Sequence, residues 1–179
     1  AFNFCSMYNM NIFFEMPRQV GKTTVAAIRY LYIYNFATAN SLISVLHKDL
    51  AGAKDNLDKI KTLRNMLPSY LQMSQTWNLI NGKKNKLSAS VRAIQNTVNN
   101  NRIITLASAR NEMAAANLLR GKTITLLWAD EWAFCKFNDA AYINGMPALN
   151  TAFKNAKANN VPYGFTITTT AGILSSPEG

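Results

Sequence analysis

Three residues near one end of the chain and two far along it have side chains suited to a single piece of chemistry. Gly21, Lys22 and Thr23 form the second half of a phosphate-loop signature, inside the stretch Met16-Pro17-Arg18-Gln19-Val20-Gly21-Lys22-Thr23-Thr24. Backbone N–H groups that lead into a helix N-terminus can cradle phosphate oxygens, and a glycine lets the chain approach without a Cβ in the way. Lys22 has the reach and charge for β- and γ-phosphates, and the Thr23 hydroxyl suits a Mg²⁺ ion. The complete signature has a further glycine five residues before Gly21, where this chain has Met16. A bare Gly-Lys-Thr also fits an ordinary loop whose following helix is capped by Thr23. Asp130 and Glu131 are the only adjacent acids among nine and follow directly on the strand-like run 123–129. Phosphate hydrolysis needs one carboxylate near the metal and another to orient or deprotonate water. Successive strand residues point to opposite sides. That assigns Asp130 to the metal through its water shell and Glu131 to the attacking water, with capping of the next segment as the alternative.

These groups need a scaffold. Residues 11–15 read as a strand apolar enough to be central in a parallel sheet. A helix over 24–36 follows, apolar almost all round, with Val25, Ile28, Leu31, Tyr32 and Phe36 assigned inward. Residues 41–46 read as the second strand. From Leu50, apolar residues recur every three or four positions through Ala53, Leu57, Ile60 and Leu63 to Leu67, an amphipathic helix stopped at Pro68. Asn81-Gly82 and Asn99 to Asn101 are turn signals, and 87–94 with 102–106 read as a hairpin. Lys83, Lys84 and Lys86 are assigned to a solvated turn, with DNA phosphates as the other reading, and Trp77 to packing. A short helix over 112–119, a strand over 123–129, a helix over 140–158 broken near Gly145 and Pro147, and a strand over 164–170 complete the chain. Strand and helix alternate, which predicts an α/β domain with a mainly parallel sheet. Thr168, Thr169 and Thr170 end the last strand, where hydroxyls could sense a γ-phosphate; the run is also ordinary strand composition.

The 179 residues suit one domain, and 49% hydrophobic content argues against disorder. No apolar run approaches the roughly 20 residues of a membrane span. Cys5 and Cys135 have no paired spacing, so a disulfide framework and a zinc site are both set aside. A formal charge of +10 points towards a polyanionic partner such as nucleic acid. An opening without Met and an end at Ser-Ser-Pro-Glu-Gly suggest a fragment cut at both ends.

In its ordered set of motifs the chain resembles the ATPase domain of the large terminase subunit of tailed bacteriophages. The resemblance runs through Arg18 to Thr24, His47-Lys48, Leu67-Pro68 with Leu71-Gln72, Trp77-Asn78, Arg120-Gly121, Asp130-Glu131, and Thr168 to Thr170 with Gly172. It implies a P-loop NTPase fold of the additional-strand, RecA-like kind: a three-layer sandwich around a mainly parallel sheet, with residues 1–179 as a single ATPase domain. It implies ATP and Mg²⁺ as cofactors, nucleotide contacts along Pro17 to Thr24, and metal contacts from Thr23 and Asp130. The catalytic set it implies is Lys22, Glu131, Arg18 acting on γ-phosphate charge, and Arg120 acting on a neighbouring subunit's nucleotide. Thr168 to Thr170 would couple hydrolysis to movement. The implied partners are double-stranded DNA, a procapsid portal and a small terminase subunit, with a homo-oligomeric ring working in the host bacterial cytoplasm and no membrane. The family's C-terminal nuclease domain has no counterpart in this chain, so DNA cleavage is not expected. An adenine-contacting aromatic with Gln is not recognisable near Tyr8, and His47 is assigned a structural role. A helicase-like translocase and a non-hydrolysing nucleotide-binding assembly module remain as alternatives.

Overall fold

The computed structural model describes residues 9–17, 19–37, 39–72, 78–80, 83–85, 93–96 and 98–170. The apolar runs of the sequence become strands β1 (Ile12–Glu15), β2 (Leu42–His47), β6 (Arg102–Ala107), β7 (Leu126–Asp130) and β8 (Gly164–Thr169). With β5 (Ala93–Gln95) they form one sheet in the order β1-β8-β7-β2-β6-β5. Every pairing is parallel except that of β5 with β6. A separate antiparallel pair joins β3 (Asn78–Ile80) to β4 (Lys83–Asn85). Strand β8 lies between β1, which feeds the phosphate loop, and β7, which ends in the acid pair; this is the additional strand expected above.

Helices α1 (Lys22–Tyr32) and α2 (Leu50–Asn65) cover one face, while α3 (Glu112–Asn117) and α4 (Asn138–Ala158) lie with the other. The alternation of β7 shows how the sheet feeds both layers. Leu126 and Trp128 join the cluster built on Tyr30, Leu57 and Ile60, whereas Leu127 and Ala129 join Leu119, Leu149 and Phe153. By the same parity Asp130 belongs to the α1/α2 face.

Several expectations are corrected. Strand β1 lies at the end of the described sheet and not at its centre; Ile12 is buried but Phe13, on the other face, is 61% exposed. A run apolar on both faces cannot distinguish these positions. In α1, only Leu31 of the five residues assigned inward is buried, and Ile28 and Tyr32 are 52% and 60% exposed. The buried apolar set is Ala26, Ala27, Tyr30 and Leu31, continuing into Ile33 and Tyr34 in a π-helical turn over Ile33–Ala37. The helix is apolar nearly all round, so periodicity did not choose a phase; the need for Thr23 to face Asp130 does, and positions three, four and seven residues on follow it inward. Small alanines there bring the axis close to the sheet.

Helix α4 runs unbroken through Gly145 and Pro147. Gly145 is a contact requirement, because a Cβ there would stand 2.7 Å from Cδ1 of Leu119. Pro147 lies on the exposed side, where the loss of one backbone bond is tolerated because the flanking turns are held by buried Leu149, Ala152 and Phe153. Of the hairpin read over 87–94 and 102–106, Ala93–Gln95 pairs with β6 as expected; residues 86–92, Trp77 and the Asn81-Gly82 turn lie outside the described residues.

Two substitutions two residues apart in α4 are expected to move stability in opposite directions. Gly145→Leu drives a side chain into Leu119 and should cost about 1–3 kcal/mol. Pro147→Ala restores an amide to the helix and should add about 1–3 kcal/mol. Urea unfolding midpoints of the two variants against the parent chain check both signs.

Candidate functional site

The turn that joins β1 to α1 takes left-handed backbone at Gln19 (φ 65°) and again at Gly21 (φ 80°). That conformation favours glycine at position 21, and Gly21 is also where α1 begins. No side chain caps α1, in contrast to α2, where Asp49 accepts from Gly52 N at 2.7 Å, and α3, where Asn111 accepts from Ala114 N at 2.8 Å. The capping role considered for Thr23 is therefore overturned. Its hydroxyl donates to Asp130 Oδ2 at 3.2 Å instead, across 107 residues of sequence. The first amides of α1 are left to face a cleft of about 500 Å³ lined by Gln19, Gly21, Lys22, Thr23 and Thr24, and by Lys48, Lys59 and Glu131. Lys22 is buried on this cleft, and among the described residues no acid pairs with its ammonium.

Asp130 is 3% exposed and surrounded by donors. Its Oδ2 accepts from Thr23 and from Asn56 Nδ2 at 2.9 Å; its Oδ1 accepts from Thr168 Oγ1 at 2.7 Å and from Glu131 N at 3.1 Å. Thr168 in turn accepts from Trp128 Nε1 at 2.9 Å, and the indole stacks on Tyr30 with centroids 5.6 Å apart. Burial raises the pKa of the Tyr30 hydroxyl, which donates to Leu127 O at 3.1 Å. Only Thr168 of the threonine run meets the acid pair directly. Thr169 Oγ1 accepts from Ala133 N at 3.2 Å and so holds the turn after Glu131, while Thr170 is buried beyond the strand.

Glu131 takes left-handed backbone (φ 52°), which swings its side chain out of the β7 alternation and over the cleft. Lys48 Nζ pairs with its Oε2 at 2.6 Å. His47 Nδ1 accepts from Asp49 N at 3.3 Å, and its Nε2 lies 3.7 Å from Glu131 Oε2. The imidazole lies against the first turn of α2, where a Cβ on Gly52 would come within 2.0 Å of it. The ring expected to be structural thus packs between the start of α2 and the Glu131 carboxylate. Cys135 follows on the same turn; burial first, then the nearby acids, push its thiol up to about 12.

The structure thus brings together Gly21, Lys22, Thr23, Thr24, Asp130, Glu131 and Thr168. It does not bring in Arg120, whose Nη2 donates to Asn144 Oδ1 at 3.0 Å in the α3/α4 layer, on the far side of the sheet from α1. Pro17 and Val20 are exposed beside the loop, and Arg18 and Tyr8 lie outside the described residues. Lys48, named above only for the resemblance, and Lys59 and Asn56 carry no site role in the sequence reading. A lysine directly after a strand was the available signal for Lys48; nothing marked Asn56 except a polar residue on the buried stripe of α2.

The donor set fits a nucleotide with Mg²⁺. No cluster of three or more His, Cys, Asp or Glu able to hold a metal exists among the described residues. Mg²⁺ usually binds through one or two protein oxygens plus substrate phosphates, so none is required. Thr23 can donate its proton to Asp130 while presenting its oxygen lone pairs to a cation.

No family model and no curated protein matches this sequence. Solved structures do. The large terminase ATPase domain of Thermus phage P74-26 superposes with a TM-score of 0.56 at 15% identity, over 92% of this chain and 61% of that chain. The large terminase of bacteriophage HK97 gives 0.57 at 15% identity, over 93% of this chain and 31% of that one. A large terminase from a thermophilic bacteriophage, solved in complex with ADP, gives 0.53 at 12% identity, over 90% and 33%. The chain spans less than two thirds of each of these proteins. At such identities the likeness is one of fold: the α/β, RecA-like P-loop architecture of phage terminase ATPase domains.

Replacing Thr168 by Val should cost about 2–4 kcal/mol, since it leaves both Trp128 Nε1 and one lone pair of Asp130 unpaired in the interior. Thr169→Val, which loses one bond to the turn, should cost about 1 kcal/mol. Denaturant titration of the two variants checks the order.

Proposed function

We propose that this chain binds ATP with Mg²⁺ and hydrolyses it, as the motor domain of a viral terminase large subunit that moves double-stranded DNA into a procapsid. The observation that carries the reading is the hydrogen bond from Thr23 to the buried Asp130, beside a cleft that Thr23, Lys22 and Glu131 line. The amides at the start of α1 and the Lys22 ammonium would hold the β- and γ-phosphates, where fixed donors stabilise the charge that spreads in the transition state. Thr23 and Asp130 would hold Mg²⁺, which would supply positive charge to offset that of the phosphates. Lys48 takes Oε2 of Glu131, so Oε1 is the oxygen available to align or deprotonate water.

The motor part of the proposal draws on three further points. Asp130 and Thr168 are hydrogen-bonded, so loss of phosphate at the cleft has a direct route into β8. Arg120 is too far round the fold to serve its own cleft, which suits a ring in which each subunit completes the next. The net charge of +10 suits a DNA phosphate backbone, and binding that weakens steeply with salt would follow from it. No helix among the described residues is long and apolar enough to cross a membrane, and the host cytoplasm is the proposed setting.

Steady-state phosphate release tests the chemistry. Glu131→Gln should keep nucleotide binding and lose turnover by ~10²-fold or more, while Lys22→Ala should lose both. Unchanged turnover in both variants overturns the assignment. Tight nucleotide binding with no phosphate release from the parent chain, even with DNA present, would instead favour a non-hydrolysing assembly module. Mixing Lys22→Ala with Arg120→Ala chains should restore part of the activity if Arg120 acts between subunits.

A further inference from the structure

The buried face of α2 reads Ala53, Asn56, Leu57, Ile60, and one of these four is polar. A carboxamide in such a stripe is costly unless its hydrogen bonds are made. Asn56 is buried, and its Nδ2 donates to Asp130 Oδ2 at 2.9 Å, across 74 residues of sequence. An ionised carboxylate offers about four acceptor directions, and four donors meet Asp130. Three of the four come from the phosphate loop, the acid pair's own backbone and the threonine run. Asn56 is the one supplied by α2, a helix that otherwise reaches the cleft through Lys59. The two donors on Oδ2 also differ in kind. Thr23 sits at 3.2 Å and has a second task at the cation, whereas the Asn56 amide has no competing demand and holds the oxygen whether or not Thr23 is engaged.

We infer that Asn56 is a positioning residue for Asp130: it fixes the carboxylate plane and so sets the affinity for the divalent cation that accompanies the nucleotide. The inference rests on the nucleotide–Mg²⁺ reading of the cleft. It assigns to α2 a part in holding Asp130, in addition to its packing against α1 and the Lys59 side chain on the cleft. Hydrogen-bonded partners of this kind typically change metal affinity 10- to 100-fold when removed.

Two replacements separate positioning from packing. Asn56→Leu fills the space but carries no donor. Asn56→Ala leaves room beside the carboxylate for a water molecule to donate in place of the amide. Binding of a non-hydrolysable ATP analogue is titrated calorimetrically against Mg²⁺ and repeated in EDTA, with thermal unfolding of each variant alongside. The expected result is an unchanged affinity in EDTA for all three chains. The Mg²⁺ concentration for half-maximal strengthening should rise ~10-fold in the Leu variant and less in the Ala variant. Thermal stability should rank the other way, with Ala below Leu. A Leu variant with the parent chain's Mg²⁺ requirement overturns the inference, as does a Mg²⁺ requirement that simply follows stability, with Ala worse than Leu. If the parent chain binds no nucleotide, or binds it with indifference to Mg²⁺, the reading of the cleft itself fails in the control arm, and this inference falls with it.

Discussion

The carboxylate of Asp130 is the constraint around which the structure closes. It is almost wholly withdrawn from water, and a charge so placed persists only when donors replace its hydration. Those donors come from the start of α1, the middle of α2, the end of β8 and the backbone after β7. Satisfying one side chain therefore fixes the relative placement of two helices and two strands. The same demand sets the phase of α1: once Thr23 faces inward, Ala26, Ala27, Tyr30 and Tyr34 must follow, and Val25, Ile28 and Tyr32 are left to solvent. The stack of Tyr30 on Trp128, worth about 0.5–1.5 kcal/mol beyond the area it buries, extends this fixed contact into the core.

The far end of α1 is held by a different device. The carbonyls of Ile33, Tyr34 and Asn35 lie where the helix widens into its π-helical turn and nears its end. Side-chain amides from the turn before β6 meet them: Asn96 and Asn99 donate to Tyr34 O at 3.3 and 2.9 Å, Asn101 to Tyr34 O at 3.0 Å, and Asn99 also to Asn35 O at 3.1 Å. A cluster of asparagines that looks like turn composition thus closes a helix more than sixty residues earlier, because carbonyls at a buried helix end need donors from elsewhere. The helix is clamped at one end by an acid and at the other by amides. Its N-terminal amides keep a fixed aim at the cleft as a result.

Around the cleft the charges are unequal. Lys22, Lys48 and Lys59 line it with a single acid, Glu131, which Lys48 partly neutralises. A concave surface with this excess of positive charge favours a polyphosphate before any specific contact is made. The left-handed turn at Glu131 has a separate consequence. A residue continuing the strand would have pointed into the α3/α4 layer, and the turn delivers the second carboxylate to the cleft that Thr23 lines while its backbone amide still bonds Asp130.

The sequence by itself determined the chemical inventory and the order of elements. Gly21-Lys22-Thr23 and Asp130-Glu131 stood out because their residue types have few uses in combination, and β2, α2, β7 and β8 were legible because apolar period and length agree there. Tertiary structure alone decided the rest. Whether β1 is central or terminal, which side of α1 is buried, and whether α4 breaks at Gly145 depend on neighbours distant in sequence, and a run apolar on every side carries no phase from which to choose. The roles of Asn56, His47 and Lys48 were decided in the same way. A single polar residue after a strand or within a helix acquires its meaning from the group it meets, and that meeting is made by sheet register and helix packing, which no local pattern encodes.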